Sequence, residues 1–151
     1  MDLKKFFFNL FYNFFSVDLR TLAFFRIFLG LMCFIDILRR FPYIEIFYSD
    51  NGVAPNYFIS EISGKYSVKG FTLLSSIGSV NEVTLFFIFA LFFSFFLMIG
   101  YKSKLSHIIT IITILSIHNR LIIVENGADM VYNNLLIWSV FLPLGSRISI
   151  D

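Results

Sequence analysis

The run VTLFFIFALFFSFFLMIG, residues 83–100, constrains the fold more than any other stretch, because only Thr84 and Ser94 interrupt its apolar side chains. A helix that is apolar on every side is buried in a large protein or faces lipid. This chain has only 151 residues, and 15% of them are charged, against about 25% in soluble domains. The sequence therefore predicts an all-α integral membrane protein.

Three further apolar stretches predict a polytopic protein with about four transmembrane helices. The four helices are predicted at about residues 19–39, 83–100, 105–124 and 128–144. Asp18 is the predicted N-cap of the first helix, and Phe41-Pro42 is its predicted end, because the residue before proline avoids the α region. Ser79 and Glu82 have the spacing of a capping box at the start of the second.

Residues 1–17 are predicted to form an interfacial amphipathic helix that precedes the transmembrane part, residues 18–151. Lys5, Asn9 and Asn13 recur at helical spacing on one side, and phenylalanines cover much of the other. The alternative is a signal peptide, since two lysines precede an apolar run. No small-residue cleavage site follows that run, which favours the uncleaved interfacial helix.

The connection from about residue 42 to residue 78 is too long for a plain loop in a compact bundle. Asp50-Asn51-Gly52 predicts a tight turn with a positive φ at the glycine. The segments NYFISEIS and FTLLSSIG, residues 56–63 and 71–78, are each predicted to form a short amphipathic or interfacial helix.

One face of the first predicted helix carries charge at membrane depth. Arg26, Cys33, Asp36 and Arg40 fall within about one quadrant of a helix of about 100° per residue, and Gly30 lies beside them. This face is predicted to point into the bundle, with the glycine permitting close helix approach. Asp36 can pair with Arg39 or Arg40 at helical spacing. Arg26 and Asp36 are therefore candidate site residues.

The stretch SIHNRLIIVENGAD, residues 116–129, concentrates polar groups between two apolar runs. Such groups are expensive in a membrane and need partners, so each is a candidate for binding or structure. The candidate site residues here are Asn119, Arg120, Asn126 and Asp129. The structural interpretation is that Arg120 pairs with Asp129 or Glu125 and holds the third and fourth helices together.

The two histidines do not predict a metal site. His107 and His118 share a helix face but lie about 16 Å apart along the axis, so they cannot bind one ion. Cys33 is the only cysteine, which excludes a cysteine-based zinc site. No metal is predicted.

Four segments in this order resemble the horizontally transferred transmembrane (HTTM) domain, which is related to vitamin K-dependent γ-carboxylase. They are RIFLGLMCFIDILRR, FYSDNGVAP, SIHNRLIIVENGAD and FLPLGSRISID, at residues 26–40, 47–55, 116–129 and 141–151. The resemblance covers nearly the whole chain from about Thr21. It implies a multi-pass α-helical protein of the bacterial inner membrane, with reduced vitamin K or another quinol as the cofactor.

The chain also departs from the family pattern in one respect. The chain matches the N-terminal half of the domain, so it is expected to be a partial domain. The carboxylases use a lysine in a Gly-x-x-Lys-Leu-like motif as the base, and no lysine of this sequence has that context. The chain alone is therefore expected to be inactive as a carboxylase, and its catalytic residues stay unknown.

Two functions remain open at this point. The first is a carboxylase-like membrane enzyme, or half of one, in which buried polar residues orient a quinol. The second is a non-enzymatic structural or ligand-binding membrane module that oligomerises. The expected partners are the lipid bilayer and either the remaining half of the domain or a second copy of the chain. A net charge of +2 gives no indication of nucleic acid as a partner.

Overall fold

The computed structural model describes residues 18–66, 70–120, 126–145 and 149–150. The predicted interfacial helix at residues 1–17 lies outside the described residues. Within them every regular element is helical and no strand occurs, in agreement with the predicted all-α class. The longer helices are α1 (Leu19–Arg40), α2 (Asn56–Tyr66), α3 (Val80–Ile99), α4 (Ser103–Arg120) and α5 (Gly127–Trp138).

Helix α1 begins and ends close to the predicted residues. The Asp18 side chain accepts a hydrogen bond from the Arg20 N–H at 2.9 Å, which confirms the N-cap. The α-helix ends at Arg40, directly before Phe41-Pro42, but Phe41 does not avoid the α region, and a 3₁₀ turn, Phe41–Tyr43, follows. Proline is tolerated there because the first turn does not use its missing N–H. A π-helical turn, Ile44–Tyr48, then extends the apolar rod.

Helix α3 has the predicted caps at both ends. Ser79 and Glu82 exchange the two hydrogen bonds of a capping box. Gly100 ends the helix with φ 78° in the left-handed region, which glycine adopts without steric cost. The helix begins at Val80 rather than at residue 83, because the box places the first helical residue directly after Ser79.

The ends of α4 and α5 differ from the prediction. Helix α4 begins at Ser103, and the residues after Arg120, 121–125, lie outside the described residues. Helix α5 ends at Trp138 and is followed by a 3₁₀ turn, Ser139–Phe141, instead of continuing to residue 144. At this end the Ser139 hydroxyl donates to the Leu136 carbonyl at 3.0 Å.

Two helical segments in the described part of the chain are long and apolar enough to cross a membrane, fewer than the four predicted. They are Leu19–Tyr48, with 30 residues, and Val80–Ile99, with 20. At about 1.5 Å per residue, even the shorter one covers the hydrocarbon core of about 30 Å. This agrees with the coarser prediction of a helical membrane protein.

Close backbone contact joins α1 and α3. A Cβ on Gly30 would lie 2.7 Å from the Met98 backbone nitrogen, so glycine permits the close approach that was predicted. Helices α1, α3, α4 and α5 alternate in direction, which gives the bundle two ends. The Gly100 end holds the start of α1, the end of α3 and the start of α4. The Asp129 end holds the end of α1, the start of α3 and the start of α5.

Several charged and polar side chains are buried beside an apolar core, and many large apolar side chains are exposed. Arg26, Arg120 and His118 are each at most 2% exposed. The outer surface instead carries large apolar side chains, including Phe24, Phe28, Leu85, Ile88 and Phe92. Exposed apolar area on this scale marks a surface that contacts lipid or protein.

Buried hydroxyls on α3 and α4 bond within their own helix. Ser94, Thr110 and Ser116 each donate to the carbonyl four residues earlier, at 2.7–2.8 Å. A buried hydroxyl without a partner would be costly, so this bonding lets a helix carry Ser and Thr away from water.

Candidate functional site

Arg40 lies at the centre of a buried polar cluster at the Asp129 end. Its Nε donates to Asp36 Oδ2 at 2.9 Å, one terminal nitrogen donates to Asp129 Oδ1 at 3.1 Å, and the other donates to the Tyr48 hydroxyl at 3.2 Å. The Arg40 side chain is 12% exposed. A planar guanidinium with several donors suits such a three-way contact, which lysine could not make. Arg40 thus joins α1 to α5 and to the π-helical turn.

His118 adds α4 to the same cluster. Its Nε2 lies 3.0 Å from Asp36 Oδ2, and its Nδ1 lies 2.9 Å from the Asn133 side-chain oxygen. Both ring nitrogens therefore have polar partners inside the cluster. Arg40 supplies a cation for the two carboxylates, which lowers the cost of burying them.

We call Asp36, Arg40, His118 and Asp129 the four-charge cluster, because each of these side chains belongs to a type that can carry a charge. Asp36 and Arg40 are one helical turn apart on α1, and the predicted Asp36 pairing is confirmed with Arg40 at 2.9 Å and with Arg39 at 3.9 Å. Asp129 is held by the N-terminus of its own helix.

A capping box at the start of α5 orients Asp129. The Asn126 side chain accepts from the N–H groups of Ala128 and Asp129 at 2.9 and 3.1 Å, and Asp129 Oδ2 accepts from the Asn126 N–H at 3.1 Å. This leaves Oδ1 of Asp129 for Arg40. The predicted candidate Asn126 therefore positions Asp129.

The cluster also gathers three groups of metal-ligating type. Ligand atoms of Asp36, His118 and Asp129 all lie within 4.8 Å of one another. This combination was not predicted from the sequence, because Asp36 and Asp129 come from helices other than that of His118. Arg40 already bonds to both carboxylates, so a cation would have to displace the guanidinium. The arrangement fits an ion-pair network better than a metal site.

Arg120 does not pair with Asp129, and this part of the prediction is wrong. Its terminal nitrogens donate to Asp50 Oδ1 at 3.4 Å, to the Ala54 carbonyl at 3.3 Å and to the Leu74 carbonyl at 3.3 Å. Glu125, the other predicted partner, lies outside the described residues. Arg120 thus fastens the connection between α1 and α3 to the end of α4.

Three neighbouring contacts fasten the same connection. Asn119 donates to the Phe71 carbonyl at 2.9 Å, Thr72 donates to the Ser116 carbonyl at 2.8 Å, and the Ser116 hydroxyl accepts from the Leu73 N–H at 3.2 Å. The candidates Asn119 and Arg120 therefore hold a loop rather than join the four-charge cluster.

The tight turn in this connection differs from the prediction. Among the described glycines only Gly100 has a positive φ. Gly52 is required for space instead, since a Cβ there would lie against the Ile46 and Glu45 carbonyls. Its neighbour Asp50 accepts from the Asn56 N–H at 2.7 Å and helps to start α2.

Arg26 lies far from the other candidates. It donates to the Ser103 hydroxyl at 3.4 Å and to the Leu144 carbonyl at 3.3 Å, at the Gly100 end. Fourteen residues separate it from Arg40 on α1, which is about 21 Å along the axis. Arg26, the Asn119–Arg120 pair and Asp129 therefore make three separate sets of contacts.

Tyr48, Asn133 and His118 are members of this site that were not among the predicted site residues. Tyr48 reaches Arg40 only because the helical rod continues beyond Pro42. Asn133 lies one turn after Asp129 on α5, and the i,i+4 spacing places both on one face.

Comparisons with models of protein families, with curated proteins and with solved structures gave no match for this chain.

Proposed function

We propose that this chain is a four-span membrane domain of HTTM type, in which the four-charge cluster fixes a ligand site within the bilayer. One observation carries the proposal. Three of the four segments that carry the resemblance meet at this cluster, through Asp36 and Arg40 in the first, Tyr48 in the second, and His118 and Asp129 in the third. When segments that resemble a family also contact one another in the structure, their contact supports a common functional site.

The fourth segment makes a comparable contact at the Gly100 end. Its Leu144 carbonyl accepts from Arg26, which begins the first segment. All four segments therefore make contacts between distant parts of the chain, which supports treating the resemblance as one of architecture.

Helices α4 and α5 complete the proposed four spans. Each buries its polar side chains inward, as His107, Thr110 and Asn133 illustrate. Each also exposes large apolar side chains on its outer face, including Leu105, Ile108, Met130, Val131 and Leu135. A helix with buried polar groups and an apolar outer face fits a bundle surrounded by lipid.

The Gly100 end is proposed to face the cytoplasm. Among the described side chains, Arg20, Lys102 and Lys104 are exposed at that end. At the other end Arg39 is exposed, whereas Arg40 and Arg120 are paired with carboxylates. Basic residues favour the cytoplasmic side.

Cysteine labelling of intact cells tests the four spans and their orientation. In a Cys33→Ala background, Tyr57→Cys and Ala128→Cys are expected to react with an impermeant maleimide, because both positions are exposed at the Asp129 end. Lys102→Cys, at the Gly100 end, is expected to react only after permeabilisation. Labelling of Ala128→Cys only after permeabilisation would contradict a span formed by α4.

The ligand is proposed to be a quinol headgroup, the class that the resemblance implies. Hydroxyl groups of a quinol can bond to carboxylates and imidazole, the groups that the cluster supplies. Carboxylation itself is not proposed for these residues, since the 151 residues contain no lysine in the family's motif.

A purely structural, non-enzymatic module is the second candidate, in which the chain oligomerises or binds its remaining half. One observation favours it: the members of the cluster satisfy one another, as both ring nitrogens of His118 and both oxygens of Asp129 have partners.

Thermal unfolding in detergent separates the two candidates. A ligand site predicts that a reduced short-chain quinone raises the melting temperature, as any ligand that binds the folded state does. We expect His118→Gln to lose this rise and Arg39→Gln, an exposed control, to keep it. No rise in the unmodified protein would contradict the ligand site and favour the structural module.

Quinol epoxidation by membranes that carry only this chain would contradict the expected lack of turnover.

A further inference from the structure

A cavity at the Gly100 end lies apart from the four-charge cluster. Its volume is about 530 Å³, within the range of about 300–1,000 Å³ typical of small-molecule sites. One wall is the start of α4, with Ser103, Lys104 and His107. The other wall is the segment after α5, residues 140–145. The cavity is therefore built between two elements that approach the same membrane face.

The two walls differ in chemistry. The α4 wall carries an exposed lysine, Lys104, in the first turn of an 18-residue helix, where the helix dipole also favours an anion. The opposite wall is largely apolar, with Phe141 78% and Leu142 41% exposed. A molecule that fits both walls has an anionic head and an apolar body.

The charged groups next to the cavity are basic. Arg26 lies just behind it and bonds to two lining residues, Ser103 and Leu144. Among the described residues that line the cavity, Lys104 is the one lysine or arginine, and no carboxylate occurs. A lining with a lysine and no carboxylate favours an anion over a zwitterion.

We infer that this cavity binds the headgroup of one acidic phospholipid, with Lys104 contacting the phosphate and the apolar wall receiving the start of an acyl chain. The inference rests on the proposed membrane-spanning function, because only then does the Gly100 end lie at headgroup level. It concerns the opposite end of the bundle from the proposed quinol site.

The single tryptophan provides the probe. Trp138 is 70% exposed, and its ring centre lies 6.2 Å from that of Phe141, which lines the cavity. Bromine on an acyl chain quenches tryptophan fluorescence only at short range. The full chain is therefore placed in vesicles of phosphatidylcholine that contain either brominated phosphatidylglycerol or brominated phosphatidylcholine, and the two quenching curves are compared.

We expect the acidic lipid to bind about fivefold more tightly than the zwitterionic one, the preference that one lysine near the surface supplies. Lys104→Gln is expected to remove most of this preference. Arg39→Gln changes the net charge by the same amount, but Arg39 is exposed at the other end of the bundle. This variant is expected to keep the preference for the acidic lipid. An equal loss in both variants would overturn the site, because non-specific attraction would then explain the preference.

Two further outcomes would overturn the inference. Equal quenching by the two lipids in the unmodified protein would mean that no acidic headgroup occupies the cavity. Loss of the preference on adding inorganic phosphate, but not on adding chloride at matched ionic strength, would mean that the site takes soluble phosphate. Flotation after an alkaline wash is measured first, and failure to float with the vesicles would contradict the membrane-spanning function itself.

Discussion

Replacing Arg40 by methionine is expected to lower the free energy of unfolding by about 3–5 kcal/mol. The reason is that Asp129 would lose its ion-pair partner, and Asp36 would keep only the contact with His118 at 3.0 Å and the exposed pair with Arg39 at 3.9 Å. The loss is a large fraction of a total stability of about 5–15 kcal/mol. Reversible unfolding in mixed detergent micelles, followed by circular dichroism, measures it.

The adjacent arginine is the matched control. Arg39 also pairs with Asp36, at 3.9 Å, but its side chain is 72% exposed against 12% for Arg40. Exposed ion pairs contribute little, so Arg39→Met is expected to cost less than about 0.5 kcal/mol. Equal losses from the two variants would contradict the importance of burial.

A double variant keeps the test informative if Arg40→Met folds poorly. Adding Asp129→Asn removes the carboxylate that lost its partner, while Asp36 keeps its contacts with Arg39 and His118. The asparagine oxygen can still accept from the Asn126 N–H, so the capping box is retained. We expect the double variant to recover about 1–3 kcal/mol relative to Arg40→Met. No recovery would mean that lost packing, rather than unbalanced charge, explains the single variant.

Much of the fold could be predicted from sequence because its determinants are local. The capping box at Ser79 and the glycine at residue 100 define α3 by contacts that span a few residues. The pairing of Asp36 with Arg40 follows from one helical turn. Such features depend on the helix alone and need no knowledge of its neighbours.

The site could not be predicted in the same way, because its pairs join distant residues. His118 and Asp36 are 82 residues apart, and Arg40 and Asp129 are 89 apart. Proximity in sequence suggested Asp129 as the partner of Arg120, but the loop after α1 brings Asp50 there instead. Which residues pair depends on how the helices rotate against each other, and hydrophobic periodicity does not specify that rotation closely enough.

Replacing Arg120 by methionine is expected to loosen the connection between α1 and α3 from the end of α4. The side chain is 1% exposed and supplies hydrogen bonds to the carbonyls of two buried residues, Ala54 and Leu74. Leaving both carbonyls without these bonds should cost about 2–4 kcal/mol. Hydrogen exchange should accelerate in residues 70–78, while α3 keeps its protection.

Asp50→Asn shows which contact of Arg120 holds the connection between α1 and α3 against the end of α4. The Asp50 side chain is 44% exposed, so its charge contributes little, and the asparagine oxygen can still accept. We therefore expect Asp50→Asn to cost less than about 1 kcal/mol and to leave exchange in residues 70–78 slow. If Asp50→Asn and Arg120→Met lowered stability and accelerated exchange equally, the ion pair would be the contact that holds the connection in place. The two buried carbonyls would then contribute little, because the guanidinium would be held in place by its charge alone.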